Sequence, residues 1–425
     1  MAARRVALTR VARAGGVPAA GRELIGSGLV LALAVGVANA LNAVFQFALA
    51  RILERDEYSL LAALFAVVLI GAVPPLAFQA TTARAVAARL ADGERAEAAE
   101  LLRATLRSVL GWTAALLALA AVLVPIGAAL GLRHPLAIGA TAATVAIALC
   151  IPVVWGGLQG AGRFRDLSAA TLLFAGTRLA AGLAAGVAGG GVGAVMLGVA
   201  AATAATALAS LVPLRGLLAC ARGRALPRHR LATLPNAAAA TGLTTLTALA
   251  SSDLLVAKLS FAGGRAGDYA AASVGARVLL LIPIAVTTVL FPRVATLRDP
   301  GRERRHLLAG LGAVALASAA ATALLWTLAK PLIDLTFGAK YDDAAPWLGP
   351  LSVAMALYAL ATVYLYHFLS LGRSRFAIWL VAVLAAQLAL FAALHGSPSQ
   401  LIGVQLGVSA ATLAAAEAWH ARRHR

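Results

Sequence analysis

Charged side chains are scarce in this chain. Of its 425 residues, 12% are charged and 61% are hydrophobic, whereas a soluble domain carries about 25% charged residues. A chain this apolar cannot cover its own surface with polar groups, so a lipid bilayer must be its solvent. The only cysteines, Cys150 and Cys220, lack metal-ligand spacing. We place Cys150 inside a membrane span and Cys220 at a cytoplasmic span end, which predicts no disulfide between them.

Motifs for catalysis and nucleotide binding are missing as well. There is no GxxxxGK[ST] phosphate loop, which argues against an ATP-driven pump within this chain. The seven histidines do not cluster with cysteines or carboxylates, and no nucleophile–base arrangement stands out. The net charge of +19 comes without the aromatic-interleaved basic patch of a nucleic-acid-binding protein. We therefore predict a protein that is not an enzyme, has no cofactor or metal and binds no nucleic acid.

Long apolar runs fill the chain instead. A membrane-spanning helix needs roughly 20 apolar residues, and the short dyad alternation of a transmembrane barrel is absent. The first run is too long for a signal-peptide core and lacks a convincing cleavage site, so it is interpreted as a retained span. The sequence predicts an all-α polytopic membrane protein of about twelve helices. The predicted spans, one to twelve, are 24–50, 58–80, 108–130, 136–158, 167–187, 192–214, 236–262, 268–292, 307–329, 347–370, 376–394 and 399–418.

Basic residues alternate between the connections of these spans. Of the 36 Lys and Arg, 27 lie in the termini and the connections of one parity, and six lie in the connections of the other. Cationic loops near span ends resist translocation. The alternation predicts that the protein is multi-pass in the plasma membrane with both termini cytoplasmic, where its basic loops face anionic lipid head groups.

Two pairs of connections suggest an internal repeat. The connection that begins at Arg84 resembles the one that begins at Arg293, and Gly162 corresponds in the same way to Gly372; both pairs lie about 210 residues apart. Parallel repeats are one of two recurring plans of transporters, although Arg/Gly loops can also match by chance. The predicted domains are a basic N-terminus (1–23), a six-helix bundle (24–214), a basic linker (215–235), a second six-helix bundle (236–418) and a basic tail (419–425).

Three cations and one carboxylate lie inside predicted spans, away from the first and last two residues of those spans. A charge at the centre of a span costs roughly 2.5–3.5 kcal/mol on insertion scales, so it needs a partner, an interior face or a function. Arg178 has no acidic residue in its own span. A substrate contact, such as a phosphate held bidentately, competes with pairing to another helix or to a backbone carbonyl. Asp253 and Arg277 form either a structural ion pair or a coupling site, and Lys258 is expected to reach the nearby span end as a coupling or gate residue.

Uncharged polar residues and prolines mark corresponding spans. Asn39, Asn42 and Gln46 lie within about 60° of one another on a helix, and Thr241, Thr245 and Ser252 would likewise share one face of a continuous helix in span seven. They are either substrate contacts or hydrogen bonds between helices of about 0.6 kcal/mol each. Proline bends a helix and frees a carbonyl, which predicts hinges in spans two and eight. The hinge candidates are Pro74, Pro75 and Pro283.

Several stretches resemble the multidrug/oligosaccharidyl-lipid/polysaccharide exporter superfamily, in its polysaccharide-transporter branch of oligosaccharide-lipid flippases. Each is weak alone, but they occur in the expected order and at the expected spans. They are Asn39 to Leu53 with Tyr58, Gly157-Leu158-Gln159-Gly160 with Arg163-Phe164, Asp253 with Gly267-Asp268-Tyr269, Leu290-Phe291-Pro292, and Phe337-Gly338 with Tyr341 and Pro346.

The resemblance implies two six-helix bundles around a central cavity that opens alternately to the two sides of the membrane. It implies a polyprenyl-diphosphate-linked oligosaccharide as cargo, flipped outward while its prenyl tail stays in lipid. Arg178, Arg277, Asn39, Asn42, Gln46, Thr245 and Ser252 are then candidate substrate contacts. Membrane lipids and glycosyltransferases or a polymerase of the same pathway are candidate partners.

Two other functions compete with a flippase. A drug/cation antiporter of the same superfamily needs an acidic cavity, and Asp253 is the only acidic residue predicted well inside a span. A non-transporting scaffold of an envelope-polymer assembly would use the polar stripes only for helix packing.

Overall fold

The computed structural model describes residues 19–130, 133–221, 234–284 and 300–421. The described residues form no strand, and twelve helices are long and apolar enough to cross a membrane. This confirms the predicted all-α polytopic fold. The repeat partner that begins at Arg293 and the predicted motif Leu290-Phe291-Pro292 lie outside the described residues.

The first six spans have these bounds. Span one is Ala19–Ile52, span two Arg55–Ala72 with Pro74–Ala91, span three Arg95–Ala129, span four Pro135–Ala148 with Cys150–Gly160, span five Phe164–Val187, and span six Gly191–Leu211 with the 3₁₀ turn Val212–Leu214 and the short helix Arg215–Leu218.

The other six follow in the same way. Span seven is Leu234–Leu249 with Ser252–Ser260, span eight Gly264–Ala276 with the 3₁₀ turn Arg277–Leu281, span nine Pro300–Thr327, span ten Ala345–Ser370, span eleven Arg375–Ala393 and span twelve Pro398–Ala421. The short helix Ala329–Thr336 and the 3₁₀ turn Ala339–Ala344 connect spans nine and ten.

The helices pack into two groups. Within the first group, span five packs on spans one and six, and span four packs on spans two and six. Within the second, span ten packs on spans nine and twelve, and span eleven packs on span seven. Span two is the main bridge between the groups, because it packs on spans seven and eight.

Span two divides where its prolines were predicted to act. One helix ends at Ala72 and the next begins at Pro74. Pro75 is buried, so the bend lies among neighbouring helices. In span eight, a 3₁₀ stretch at Arg277–Leu281 precedes Pro283. All three prolines therefore lie beside helix irregularities, and hinge motion at them remains a prediction.

The connection at 84–107 consists of two helical segments and a turn. Span two continues as a helix to Ala91, and span three begins at Arg95. The turn between them contains Gly93, whose φ of 80° lies in the left-handed region that glycine adopts without strain. The cytoplasmic connection is thus two helical extensions joined by a tight turn.

Candidate functional site

Arg178 lies on span five and faces span one. Its guanidinium donates a hydrogen bond to the Asn42 side-chain oxygen. It also lies over the rings of Phe45, Phe65 and Phe174, at 5.1, 5.4 and 5.6 Å from their centroids. Spans one and five lie so close together here that a Cβ atom on Gly182 would be 2.4 Å from the Phe45 ring. Aromatic rings and a neutral amide thus surround the cation.

No carboxylate neutralises Arg178 among the described residues, where the ion pairs involve other cations. Its Nε atom is buried and lacks a hydrogen-bond partner. On span one, the Oε1 atom of Gln46 is likewise buried without a partner. Gln46 lies one helical turn beyond Asn42 on the same face. This region therefore combines a positive charge with an unused donor and an unused acceptor.

The other residues predicted in the two polar stripes differ in their burial and in their helix. Asn39 is exposed, while Thr245 is buried. Ser252 does not continue the stripe of Thr241 and Thr245, because the helix of span seven ends at Leu249 and a second one begins at Ser252. The helical spacing predicted across these residues is wrong for Ser252, which is buried and accepts a hydrogen bond from Gln387.

Asp253 and Arg277 form the ion pair that was one of the two predictions for them. The Arg277 guanidinium donates to Asp253 Oδ1 at 2.7 Å. Asp253 is fully buried, and its other carboxylate oxygen accepts hydrogen bonds from Ser273 at 2.6 Å and Tyr269 at 3.2 Å. The two arginines that the sequence predicts inside spans thus differ: a carboxylate neutralises Arg277, and none among the described residues neutralises Arg178.

A second set of contacts joins the two helix groups. We call it the clasp; its residues are Arg51, Arg55, Asp56, Lys258, Asp268, Lys340 and Tyr341. It lies at the end of the bundle that the basic loops predict to be exterior. Sequence reasoning selected only Lys258 from this set as a functional residue.

Two basic residues of the clasp donate hydrogen bonds to carbonyls at the C-terminal ends of helices. Arg51, in the last turn of span one, donates to the carbonyls of Asp334 and Leu335 at 3.1 and 2.5 Å, at the end of the helix Ala329–Thr336. Lys340 donates to the carbonyls of Arg51 and Leu53 at 3.1 and 2.6 Å, at the end of span one. Terminal carbonyls lack helical partners and attract cations. Each helix group therefore caps a helix of the other.

Ion pairs form the rest of the clasp. Arg55 pairs with the buried Asp268 at 3.1 Å, and Lys258 reaches the end of its span and pairs with Asp56 at 2.7 Å. Spans two and eight touch through backbone at this point, since a Cβ atom on Gly267 would lie 2.4 Å from the Arg55 carbonyl oxygen. These contacts join the two helix groups at the predicted exterior end.

A further ion pair braces the connection beside the clasp. Lys330 donates to Asp342 Oδ2 at 2.6 Å. This hydrogen bond raises the pKa of the Lys330 ammonium. The pKa of Asp334 is also raised, first by its hydrogen bond with Asp342. The exposed connection between spans nine and ten thus has its own ion pair beside the clasp.

The fold defines the class of protein. The structure is similar to an inward-facing multidrug resistance MATE family transporter of the MOP superfamily, with a TM-score of 0.73, 14% identity and coverage of 91% of this chain and 94% of that one. It is also similar to the lipid II flippase MurJ in an inward closed conformation, with a TM-score of 0.64, 12% identity and coverage of 91% and 85%. The chain therefore has the fold of the MOP superfamily transporters.

The family follows from the sequence. The family model described as "Polysaccharide biosynthesis protein" matches residues 48–346, and the chain belongs to that family. No curated protein matches the sequence. A third similar structure is a MOP superfamily transporter from Pyrococcus furiosus, with a TM-score of 0.62, 14% identity and coverage of 94% and 96%; its description reports a binding pocket of reversed polarity.

Proposed function

We propose that this protein flips a polyprenyl-diphosphate-linked oligosaccharide, a precursor of a cell-surface polysaccharide, from the cytoplasmic to the outer leaflet. The protein would open alternately to the two sides, with the clasp closing the exterior side. Membership of a polysaccharide biosynthesis family and the fold shared with a lipid II flippase support a lipid-linked glycan as cargo.

The main support for the proposal is the environment of Arg178, which has no carboxylate partner among the described residues. A guanidinium inside a membrane span without an anionic partner favours an anionic ligand, because desolvated charges are costly unless paired. A diphosphate offers the oxygen acceptors that a guanidinium binds best. The three phenylalanine rings stabilise the cation by roughly 0.5–2 kcal/mol each while the site is empty, so the charge can remain available between transport cycles.

The neighbouring polar groups suit the sugar. A ligand hydroxyl both donates and accepts hydrogen bonds, so it could satisfy the Gln46 amide oxygen. Asn39 and Asn42 lie on the same helix face and extend the site along span one. Thr245 would contribute from span seven. Arg277 and Ser252 are engaged within the protein, which makes them weaker candidates for substrate contacts than Arg178.

The competing functions have less support. A drug/cation antiporter requires a carboxylate that is free to bind a cationic substrate, and both oxygens of Asp253 already accept hydrogen bonds from the protein. A scaffold would use Asn42 and Arg178 only for packing, and replacing them would then alter stability without altering transport.

The test replaces Arg178 in cells and measures surface delivery of the lipid-linked glycan, normalised to the amount of protein in the membrane. We expect Arg178→Ala to reduce delivery by roughly 10- to 100-fold, because a hydrogen bond to a charged group contributes about 1.5–3 kcal/mol. Arg178→Lys keeps the charge but loses the planar guanidinium, so its glycan delivery should lie between those of the wild type and Arg178→Ala. Arg375→Ala, which removes an exposed cation at the start of span eleven, serves as the control. Unchanged delivery by Arg178→Ala would remove Arg178 from the mechanism.

A further inference from the structure

Span seven is interrupted inside the membrane without a proline. Its first helix ends at Leu249 and its second begins at Ser252. The carbonyls of Leu249 and Ala250 therefore do not accept the usual helical hydrogen bonds. Because lipid offers no substitute, backbone groups at such a break need partners from the protein, water or an ion.

Glutamines of two other spans bind the first carbonyl. The side-chain amides of Gln387 in span eleven and Gln405 in span twelve donate to the Leu249 oxygen at 2.8 and 3.2 Å. The Tyr358 hydroxyl of span ten lies 2.8 and 3.2 Å from the two amide oxygens. All three side chains are fully buried. Side chains of spans eleven and twelve thus satisfy the Leu249 carbonyl at the break, and the Tyr358 hydroxyl of span ten contacts both of these side chains.

Arg277 of span eight binds the second carbonyl. Its Nε atom donates to the Ala250 oxygen at 3.2 Å, and its terminal nitrogen donates to Asp253 Oδ1 at 2.7 Å. One cation therefore bridges the Ala250 carbonyl and the Asp253 carboxylate. Its side chain is 13% exposed and that of Asp253 is 0% exposed, so the pair lies away from solvent.

An interrupted helix with free carbonyls and a carboxylate is the arrangement in which transporters coordinate Na⁺. Here the Ala250 carbonyl and the Asp253 carboxylate supply such oxygens, but both already accept hydrogen bonds from the Arg277 guanidinium. We propose that Arg277 is a resident counter-ion: its guanidinium permanently occupies the position of an inorganic cation, so the break in span seven binds no Na⁺ or K⁺.

A tethered cation differs from a dissolved one in two respects. It is present at every salt concentration, and it does not leave during the transport cycle. The break then stays electrically neutral in all conformations, and Asp253 positions Arg277 instead of exchanging ions with the medium. The inference goes beyond the proposed function, because it concerns spans seven and eight and requires no cargo.

The test compares melting temperatures of the purified full-length protein in NaCl, KCl and choline chloride at equal ionic strength. We expect the wild type to melt at the same temperature in all three. We expect Arg277→Ala to melt lower in choline chloride and to gain at least about 2 °C in NaCl, because binding to the folded state alone raises the melting temperature. Na⁺ would occupy the oxygens that the guanidinium vacates.

Matched variants make the result decisive. The double variant Asp253→Asn/Arg277→Ala lacks the carboxylate and should show no response to Na⁺. Should Arg277→Ala fail to fold, Arg277→Gln keeps a donor for the Ala250 carbonyl and should show the same Na⁺ response. A Na⁺-dependent rise in the wild type that Asp253→Asn abolishes would overturn the proposal. A folded Arg277→Ala protein that is indifferent to Na⁺ would overturn it as well.

Discussion

Two arginines within the membrane have opposite environments. Arg277 contacts a buried carboxylate and a backbone carbonyl, whereas Arg178 contacts an amide and three aromatic rings. Breaking a buried ion pair by removing one partner costs about 3–5 kcal/mol, so Arg277 contributes mainly to the structure. Arg178 has no charge partner among the described residues, and its charge is therefore available to a ligand.

Gln46 provides a prediction that separates packing from transport. Its amide oxygen is buried without a partner, and an unsatisfied buried polar atom destabilises a protein by about 1–3 kcal/mol. We expect Gln46→Leu to leave the melting temperature unchanged or raise it by a few degrees, while glycan delivery falls several-fold. Thermal unfolding and the delivery assay measure the two effects separately. Loss of stability together with normal delivery would show that Gln46 serves only the packing.

At the scale of helices, small residues set the distances between spans. Gly267 allows span eight to touch the backbone of span two beside Arg55. The prolines of span two divide that span at Val73. Span two thus contacts the opposite group at its predicted exterior end and bends below it, which suits an element that moves between two arrangements.

The close contact at Gly267 predicts how the clasp can be opened. We expect Gly267→Ala to force the two spans apart and weaken the Arg55–Asp268 pair, shifting the population towards an open exterior end by about five-fold, or roughly 1 kcal/mol. Spin labels on cysteines at Ala188 and Asp343, with Cys150 and Cys220 replaced, would report the distance across this end. Gly312→Ala, where a Cβ atom meets nothing within 4 Å, is the control. An unchanged distance distribution in Gly267→Ala would contradict a gating role for the clasp.

Across the whole molecule, the sequence predicted the spans better than their irregularities. Span boundaries follow from runs of apolar residues, so spans five and six were predicted at 167–187 and 192–214 and are observed at Phe164–Val187 and Gly191–Leu218. The break in span seven follows from tertiary contacts. Ala250 and Ser251, where the helix is interrupted, include no glycine or proline that would predict a break. The side chains that donate to the carbonyls at the break come from spans eight, eleven and twelve.

The sequence alone could identify only those site residues whose type is rare inside a membrane span. Arg178 and Asp253 stand out because charge is rare within spans. Gln387 and Gln405 could have been suspected as uncharged polar residues within apolar runs, but their common target, the Leu249 carbonyl, depends on packing. The clasp residues lie near loops, where charge is ordinary. Their capping of helix ends depends on which helices meet across the molecule.

Flipping of a lipid-linked glycan by this protein depends most directly on binding of the cargo diphosphate by Arg178. The most direct measurement compares binding of a polyprenyl diphosphate and of the polyprenyl alcohol of equal length to the purified protein in lipid nanodiscs. We expect the wild type to prefer the diphosphate by roughly 10- to 100-fold, Arg178→Gln to lose that preference, and the Arg375→Gln control to keep it. Equal preference for the diphosphate in the wild type and in a folded Arg178→Gln protein would contradict the account.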